Sequence, residues 1–266
     1  MGKVIVIGAA KGGTAKTVST YNLAYSLNEL GKKVLCIDLD PQGNLTTCFC
    51  EDDTTEIETT IAEVLIAELN DEELSDDTEC IWDRNGVHYI AADMRLSAVE
   101  SQLRVEMGAE RILDSVLAEL RDVYDFILID TSPAMGSLAV NALSAADRVI
   151  VTANPQLLAM KGLQDFLKTV AKIKKRVNEK LEVEGILLTM CDSRTNLCQT
   201  IMEEVRDTFD GKIKVFEEVV PNTVKVGESV YYSQPLLEYA PRSKACEAYR
   251  KLALDLANSA AVDASD

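Results

Sequence analysis

The chain has 266 residues, of which 47% are hydrophobic, enough for one large folded domain with a substantial core. Its formal net charge of −17 opposes binding to nucleic acid through overall electrostatic attraction. No apolar run approaches the ~20 residues that span a bilayer. The seven cysteines include no C-x-x-C pair, so we expect a cytoplasmic protein with reduced thiols.

The first predicted element is a strand, the apolar run Val4–Ile7, and a helix is predicted over Val18–Leu30. Between them lies the segment Gly8-Ala9-Ala10-Lys11-Gly12-Gly13-Thr14-Ala15-Lys16-Thr17. A buried strand that leads through a glycine-containing turn into a helix directs several backbone N–H groups and the positive helix end at one point. We therefore predict a nucleoside triphosphate site, with Lys16 on phosphate oxygens and Thr17 on Mg²⁺.

This loop departs from the general pattern G-x-x-x-x-G-K-[ST], because alanine replaces glycine at positions 10 and 15. If position 15 needs a positive φ, the methyl group of Ala15 costs about 1 kcal/mol or more. We therefore keep as an alternative a degenerate module that binds nucleotide without hydrolysing it.

Two further strands are predicted to end in carboxylates. Lys32–Ile37 leads into Asp38-Leu39-Asp40, and Phe126–Ile129 leads into Asp130. Ligands bind at the carboxyl edge of open parallel sheets, and Mg²⁺ takes few protein carboxylates, so these acids are candidates for the metal sphere. Taken alone, the D-x-D pair also fits solvated turn acids, and Asp130 also fits an acid that caps the next turn.

The remaining strand signals are the unbroken apolar runs Val149–Thr152 and Gly185–Met190, which are typical of strands covered on both faces. Helical patterns over Gln164–Arg176 and Gln199–Phe209 alternate with them. The pattern predicts an α/β fold with a mostly parallel central sheet and helices on both faces. We assign residues 1–258 to a single domain and residues 259–266 to a short acidic tail.

The segment Lys11-Gly12-Gly13-x-x-Lys16-Thr17 resembles the deviant phosphate loop of the ParA/MinD group of P-loop NTPases. Two later segments, Met190–Leu197 and Tyr239–Ala245, resemble ParA/Soj-type partition ATPases more than MinD. The resemblance implies a homodimer formed with ATP and Mg²⁺, and slow, partner-stimulated ATP hydrolysis. It also implies roles for the site residues. Lys11 contacts the partner's nucleotide, Pro221 lies beside the adenine, and Asp40 orients the attacking water. Mg²⁺ is surrounded by Asp38, Asp130 and Thr17, and the phosphates by Gly12, Gly13, Thr14, Ala15, Lys16, Thr17 and Val18.

The family resemblance further implies nonspecific DNA binding in the ATP state, a ParB-like activator and nucleoid association. Arg194 and Lys225 match positions where the family carries DNA-contacting arginines. The acids concentrate between Glu51 and Asp130, which leaves room for a basic face elsewhere. The stretch Pro221–Ser229 nevertheless departs from the family pattern, and Lys225 lacks the planar fork of arginine.

An ATP-gated positioning switch that acts on a protein cargo without binding DNA is therefore the alternative function. Asn258–Asp266 is small and acidic, unlike the basic amphipathic helix that ends MinD-like proteins, so we expect no membrane binding.

Overall fold

A computed structural model of the chain describes residues 1–9, 11–50, 57–72, 80–156 and 159–263. The strands of these residues form one eight-stranded sheet in the order β3-β4-β2-β5-β1-β6-β7-β8. All neighbouring strands are parallel except β3, which pairs antiparallel with β4. The strands are β1 (Lys3–Ala9), β2 (Val34–Leu39), β3 (Ile81–Arg84), β4 (Val87–Ile90), β5 (Phe126–Thr131), β6 (Arg148–Ala153), β7 (Glu182–Cys191) and β8 (Val215–Pro221).

The helices include every one that the sequence patterns predict. The helix predicted from Val18 begins two residues earlier, at Lys16, and the two later predictions lie within α7 and α8. The helices are α1 (Lys16–Glu29), α2 (Asn44–Phe49), α3 (Ile61–Leu69), α4 (Leu96–Leu103), α5 (Ile112–Leu120), α6 (Ser137–Ala145), α7 (Ala159–Arg176), α8 (Asn196–Phe209), α9 (Val224–Tyr231), α10 (Leu236–Tyr239) and α11 (Lys244–Asp263). A short 3-10 helix covers Ala109–Arg111.

The core has two parts, one on each face of the sheet. In β1, Val4 and Val6 belong to the part that packs against α3 to α8, whereas Ile5 and Ile7 belong to the part that packs against α1, α2 and α11. This division follows from the alternation of side chains along a strand. Because helices cover both faces, the central strands are apolar throughout. The predicted mostly parallel sheet with helices on both faces is confirmed.

The sequence patterns did not identify the two edge strands, β3 and β8. The segment Val215-Phe216-Glu217-Glu218-Val219-Val220-Pro221 interrupts its apolar residues with two glutamates, and Glu217 is exposed. Edge strands have one side without a neighbouring strand and carry more polar residues, so their apolar signal is weaker than that of a central strand.

The last helix, α11, runs through Asp263 and therefore passes residue 258, where we ended the domain. Residues 264–266 of the predicted tail lie outside the described residues, as does Ala10, and the domain division stays a prediction. Within the described part of the chain, no helix combines the length and the apolar character needed to cross a membrane.

Candidate functional site

The glycine-containing loop lies at the carboxyl edge of the sheet, between the end of β1 at Ala9 and the start of α1 at Lys16. Gly13 adopts a φ of 74° and has no neighbouring atom within 4 Å of the position of an added Cβ. The loop backbone is therefore open on that side. Lys16 is only 7% exposed at the first turn of α1. Together the open loop and the helix start form a concave backbone surface of the kind that binds phosphate.

Ala15 has φ 56° and ψ 33°, which is the left-handed region. The condition that makes its methyl group costly is therefore met, and the strain is on the order of 1–2 kcal/mol. The carbonyl of Ala15 nevertheless accepts the helical hydrogen bond from the N–H of Ser19 at 2.9 Å. The substitution thus keeps the loop conformation and adds strain to it.

Thr17 and Asp130 meet at the end of β5. The hydroxyl of Thr17 donates to Oδ2 of Asp130 at 2.6 Å, while Oδ1 of Asp130 is buried and has no hydrogen-bond partner within the described part of the chain. Burial, and then the charge of Asp38, raise the pKa of Asp130 to about 8. A buried carboxylate with one unpaired oxygen beside a threonine hydroxyl fits a divalent cation that would neutralise it.

Asp38 is the direct neighbour of Asp130 across the sheet, since the two residues pair in the register of β2 and β5. Oδ1 of Asp38 accepts the N–H of Asp40 at 3.1 Å, and Oδ2 accepts both the N–H and the hydroxyl of Thr46 at 2.8 and 2.9 Å. Burial raises the pKa of Asp38 to about 6. Both oxygens of Asp38 are thus engaged within the protein, whereas Asp130 has one free.

Asp40 lies in the turn after β2 and is 7% exposed. Its Oδ1 accepts the N–H of Gln42 at 3.0 Å. The N–H of Asp40 donates to the carboxylate of Asp38, so the D-x-D pair forms one hydrogen-bonded turn. The structure therefore brings the phosphate loop, Asp38, Asp40 and Asp130 to one edge of the sheet.

Comparison with known proteins agrees with this arrangement. A family model described as an AAA domain matches residues 2–183. The sporulation initiation inhibitor protein Soj of Bacillus subtilis is 35% identical over 97% of this chain and 99% of its own length. The chromosome partitioning protein ParA of Myxococcus xanthus is 36% identical over 96% of this chain and 88% of its own length.

The chain belongs to the ParA/Soj family of P-loop ATPases.

Solved structures place this ParA/Soj family member among the same folds. One solved structure is a Mycobacterium smegmatis protein described as cobyrinic acid a,c-diamide synthase with bound ADP and magnesium. It is 31% identical to this chain, and the two superpose with a TM-score of 0.81 over 96% of this chain and 94% of that chain. The cell division ATPase MinD of Pyrococcus furiosus is 23% identical, with a TM-score of 0.75 over 97% and 99% of the two chains. At that identity the MinD structure supports the fold alone.

Lys11, the residue that marks the deviant loop, is held on its own chain. Its ammonium group donates to Oε1 of Gln156 at 2.8 Å. Gln156 follows β6, so Lys11 points along the carboxyl edge of the sheet. Val18 is half-buried in the first turn of α1, and Pro221 is the last residue of β8.

The two candidate DNA contacts lie in different segments, each beside an acid of the same segment. Arg194 follows β7, with 87% of its side chain exposed, and its guanidinium binds both carboxylate oxygens of Asp192 at 2.8 Å. Lys225, in the first turn of α9, pairs with Glu228 at 2.9 Å and lies 5.4 Å from the ring centre of Tyr239. Neither cation is brought into contact with the phosphate loop.

Two threonines at this edge, half-buried Thr46 and buried Thr189, were not identified from the sequence. Thr46 holds Asp38 and also accepts the N–H of Ala92 at 2.9 Å. Thr189, near the end of β7, donates to the carbonyl oxygen of Thr14 in the phosphate loop at 2.9 Å. Threonine inside an apolar run carries no signal of its own, because its β-branched shape also suits a buried strand.

Proposed function

We propose that this ParA/Soj family member is an ATP-dependent dimerising switch that binds nonspecific DNA in its ATP state. In this proposal it drives plasmid or chromosome partitioning with a ParB-like activator, in the cytoplasm and associated with the nucleoid. The observation that carries the proposal is the hydrogen bond between half-buried Thr17, at the start of α1, and buried Asp130, one of whose oxygens has no hydrogen-bond partner among the described residues. That combination suits a nucleotide with a divalent cation.

The site residues have distinct roles in this proposal. Lys16 and the backbone N–H groups of residues 12–17 bind phosphate oxygens, with Val18 in the same turn. Thr17 and Asp130 hold Mg²⁺, and Asp38 supports them from the neighbouring strand. Bound ATP and Mg²⁺ supply the scissile phosphoanhydride and the positive charge that neutralises it. Asp40 orients the attacking water, a task that needs positioning and little covalent chemistry.

Dimerisation assigns further roles to residues at the edge of the site. Lys11 leaves Gln156 and reaches the nucleotide of the second subunit, which requires the loss of its exposed hydrogen bond to Gln156. The Pro221 loop helps enclose the adenine. Turnover is slow until the activator binds, as expected of a switch whose nucleotide state controls its partners.

DNA binding depends on Arg194 and Lys225 in this proposal. Both are exposed, but each cation is paired with a neighbouring carboxylate, Asp192 or Glu228. The bond from Arg194 lowers the pKa of Asp192 to about 2, so this acid stays ionised at neutral pH. DNA phosphates must compete with these acids, and binding should therefore be weak and steeply dependent on salt.

Gel mobility of nonspecific duplex DNA with ADP, with ATP, and with ATP plus the Asp40→Ala variant tests the proposal. We expect binding with ATP only, retained in Asp40→Ala because that variant holds ATP without hydrolysing it. Arg194→Ala and Lys225→Ala should each weaken binding. Lys168→Ala is the matched control for Lys225→Ala, because Lys168 is also an exposed lysine paired with an acid three residues away, Asp165.

A second function has specific support: an ATP-gated positioning switch that acts on a protein cargo without binding DNA. The pairing of both candidate cations with acids and the net charge of −17 favour it. ATP-dependent dimerisation by light scattering, with no mobility shift in any nucleotide state at low salt, would establish this alternative in place of the DNA-binding switch.

A further inference from the structure

Three buried threonines connect the phosphate loop to the ends of two strands. Thr14 of the loop, Thr152 of β6 and Thr189 of β7 are between 0 and 2% exposed. The hydroxyls of Thr14 and Thr152 share a hydrogen bond at 2.9 Å, and the hydroxyl of Thr189 donates to the carbonyl oxygen of Thr14 at 2.9 Å. The loop is thus held through both the side chain and the backbone of one residue.

The bond from Thr189 determines the direction of the peptide between Thr14 and Ala15. Every peptide bond of the described residues is trans, so the carbonyl of Thr14 and the N–H of Ala15 point in opposite directions. Because the carbonyl points inward to Thr189, the N–H points away from the core, toward the open side of the loop. Thr189 therefore orients a group that the proposed function places on phosphate.

The residue after Thr189 is strained. Met190 has a φ of 54°, in the left-handed region, and it is 38% exposed. Its sulfur lies 3.8 Å from the amide nitrogen of Asn154, at the end of β6. A bulky non-glycine residue in this region is held there by its surroundings, and such residues cluster at active sites, ligand clamps and switch regions.

The candidate DNA-contacting segment with Arg194 follows this strained residue in the chain, and the segment with Lys225 is hydrogen-bonded to the next residue, Cys191. The carbonyl of Cys191 accepts the N–H of Asn222 at 3.0 Å, two residues before α9 begins, and α9 carries Lys225. The turn at Asp192 carries Arg194, whose N–H is held by the Asp192 carboxylate at 3.2 Å. A displacement of the Thr189–Cys191 backbone therefore reaches Arg194 along the chain and Lys225 through one hydrogen bond.

We propose that Thr189 is a positioning residue that couples the phosphate loop to the Arg194 and Lys225 segments, with Met190 as the element that changes conformation. When phosphate binds the N–H of Ala15, it draws the Thr14–Ala15 peptide outward in the orientation that it already has, and Thr189 follows the carbonyl that it holds. The inference rests on the proposed nucleotide binding and adds to it the route by which nucleotide state reaches the two cations.

The test compares the full-length wild type with Thr189→Val, which removes the hydroxyl, and Thr189→Ser, which keeps it. The matched control is Thr169→Val, because the hydroxyl of Thr169 bonds, among the described residues, only to the Asp165 carbonyl of its own helix. Two quantities are measured: affinity for a fluorescent ATP analogue with Mg²⁺, and hydrogen exchange of the backbone N–H groups of residues 190–194 and 222–225 with and without saturating ATP.

In the wild type, ATP should change exchange in both segments. Thr189→Val should bind the analogue roughly 5- to 30-fold more weakly, the effect of losing one buried hydrogen bond. At saturating ATP it should also lose the exchange response, while Thr189→Ser and Thr169→Val behave like the wild type. A purely structural role would lower thermal stability and leave the response at saturating ATP intact.

An unchanged exchange response in Thr189→Val at saturating ATP would overturn the coupling while the proposed function stands. A wild type that binds the analogue but shows no ATP-dependent exchange in either segment would overturn it as well. A wild type that binds no analogue would refute the proposed function itself, and with it the coupling.

Discussion

Replacing Asp130 with asparagine tests whether the unpaired carboxylate beneath the phosphate loop destabilises the protein when no cation is bound. The side chain is fully buried, only one of its oxygens accepts a hydrogen bond from the described residues, and the acid Asp38 is its neighbour across the sheet. Asparagine has nearly the same shape and removes the charge. It should therefore stabilise the metal-free protein and weaken the effect of Mg²⁺ on ATP binding.

The size of the effect depends on pH. Burial, followed by the charge of Asp38, raises the pKa of Asp130 from 3.8 to about 8 in the folded chain. Since the unfolded chain releases this proton first, the wild type loses stability as the pH rises from 3.8 toward 8, by about 5 kcal/mol at most. The asparagine amide still accepts the bond from Thr17 but leaves its N–H groups unpaired, at a cost of about 1–3 kcal/mol.

The wild type and Asp130→Asn should therefore be equally stable near pH 5, and Asp130→Asn should be more stable than the wild type by about 3 kcal/mol at pH 8. For a chain of this length that difference raises Tm by about 5 °C. The assay is thermal unfolding in EDTA, without nucleotide, at pH 5, 6.5 and 8. Asp255→Asn removes an exposed acid paired with Lys214 and should change stability by less than about 1 kcal/mol at any of these pH values. An Asp130→Asn protein that unfolds at a lower temperature than the wild type at pH 8 would refute the reasoning.

Three other substitutions give measurable outcomes. Ala15→Gly should leave ATP affinity in calorimetric titration nearly unchanged, because the loop already has its left-handed conformation without nucleotide, and should stabilise the fold by at most about 1 kcal/mol, since the relieved strain is partly offset by the looser unfolded chain; a clear loss of stability would contradict the strain argument. Lys11→Ala should keep fluorescent ATP binding and lose ATP-dependent dimerisation in light scattering, and a variant that dimerises normally would contradict the role across the interface. Gly185→Ala should destabilise the fold by about 1–3 kcal/mol in urea unfolding, because its Cβ would lie 2.8 Å from the ring of Phe216. Gly227→Ala, whose Cβ would meet nothing within 4 Å, is the control and should be neutral or stabilising.

The central strands and the acids at their ends could be predicted from the sequence because one physical rule covers both. Strands buried on two faces are unbroken apolar runs, and parallel strands bring the residues that follow them to one edge. Asp38 and Asp130 were placed there by that rule, and the structure makes them neighbours in the sheet register. The rule gives no information about Thr189, because its hydrogen-bond partner Thr14 is 175 residues away in the sequence. It also missed β3 and β8, since edge strands lack the continuous apolar signal.

The pairing of Arg194 with Asp192 also required the structure, because sequence spacing does not show which charged groups are in contact. Asp192 and Arg194, two residues apart, are visible in the sequence, but only the structure shows that the guanidinium binds both oxygens of this carboxylate. The net charge of −17 therefore does not decide DNA binding by itself, because the field near each cation is set first by the acid that it contacts.

The nucleotide site and the candidate DNA surface therefore depend on different physics, although they lie along the same edge of the sheet. The phosphate loop presents backbone N–H groups and buried side chains, whose interactions salt screens only weakly. Ala15 affects this loop through backbone strain. Arg194 and Lys225 are exposed and already neutralised, so a modest conformational change that separates them from Asp192 and Glu228 releases two cations together. Solvent screens exposed pairs of this kind, so they contribute little compared with the free energy of nucleotide binding. If the proposed DNA binding holds, an acidic chain can thus keep its DNA affinity low in one nucleotide state and raise it in the other, provided that the nucleotide site is coupled to both segments.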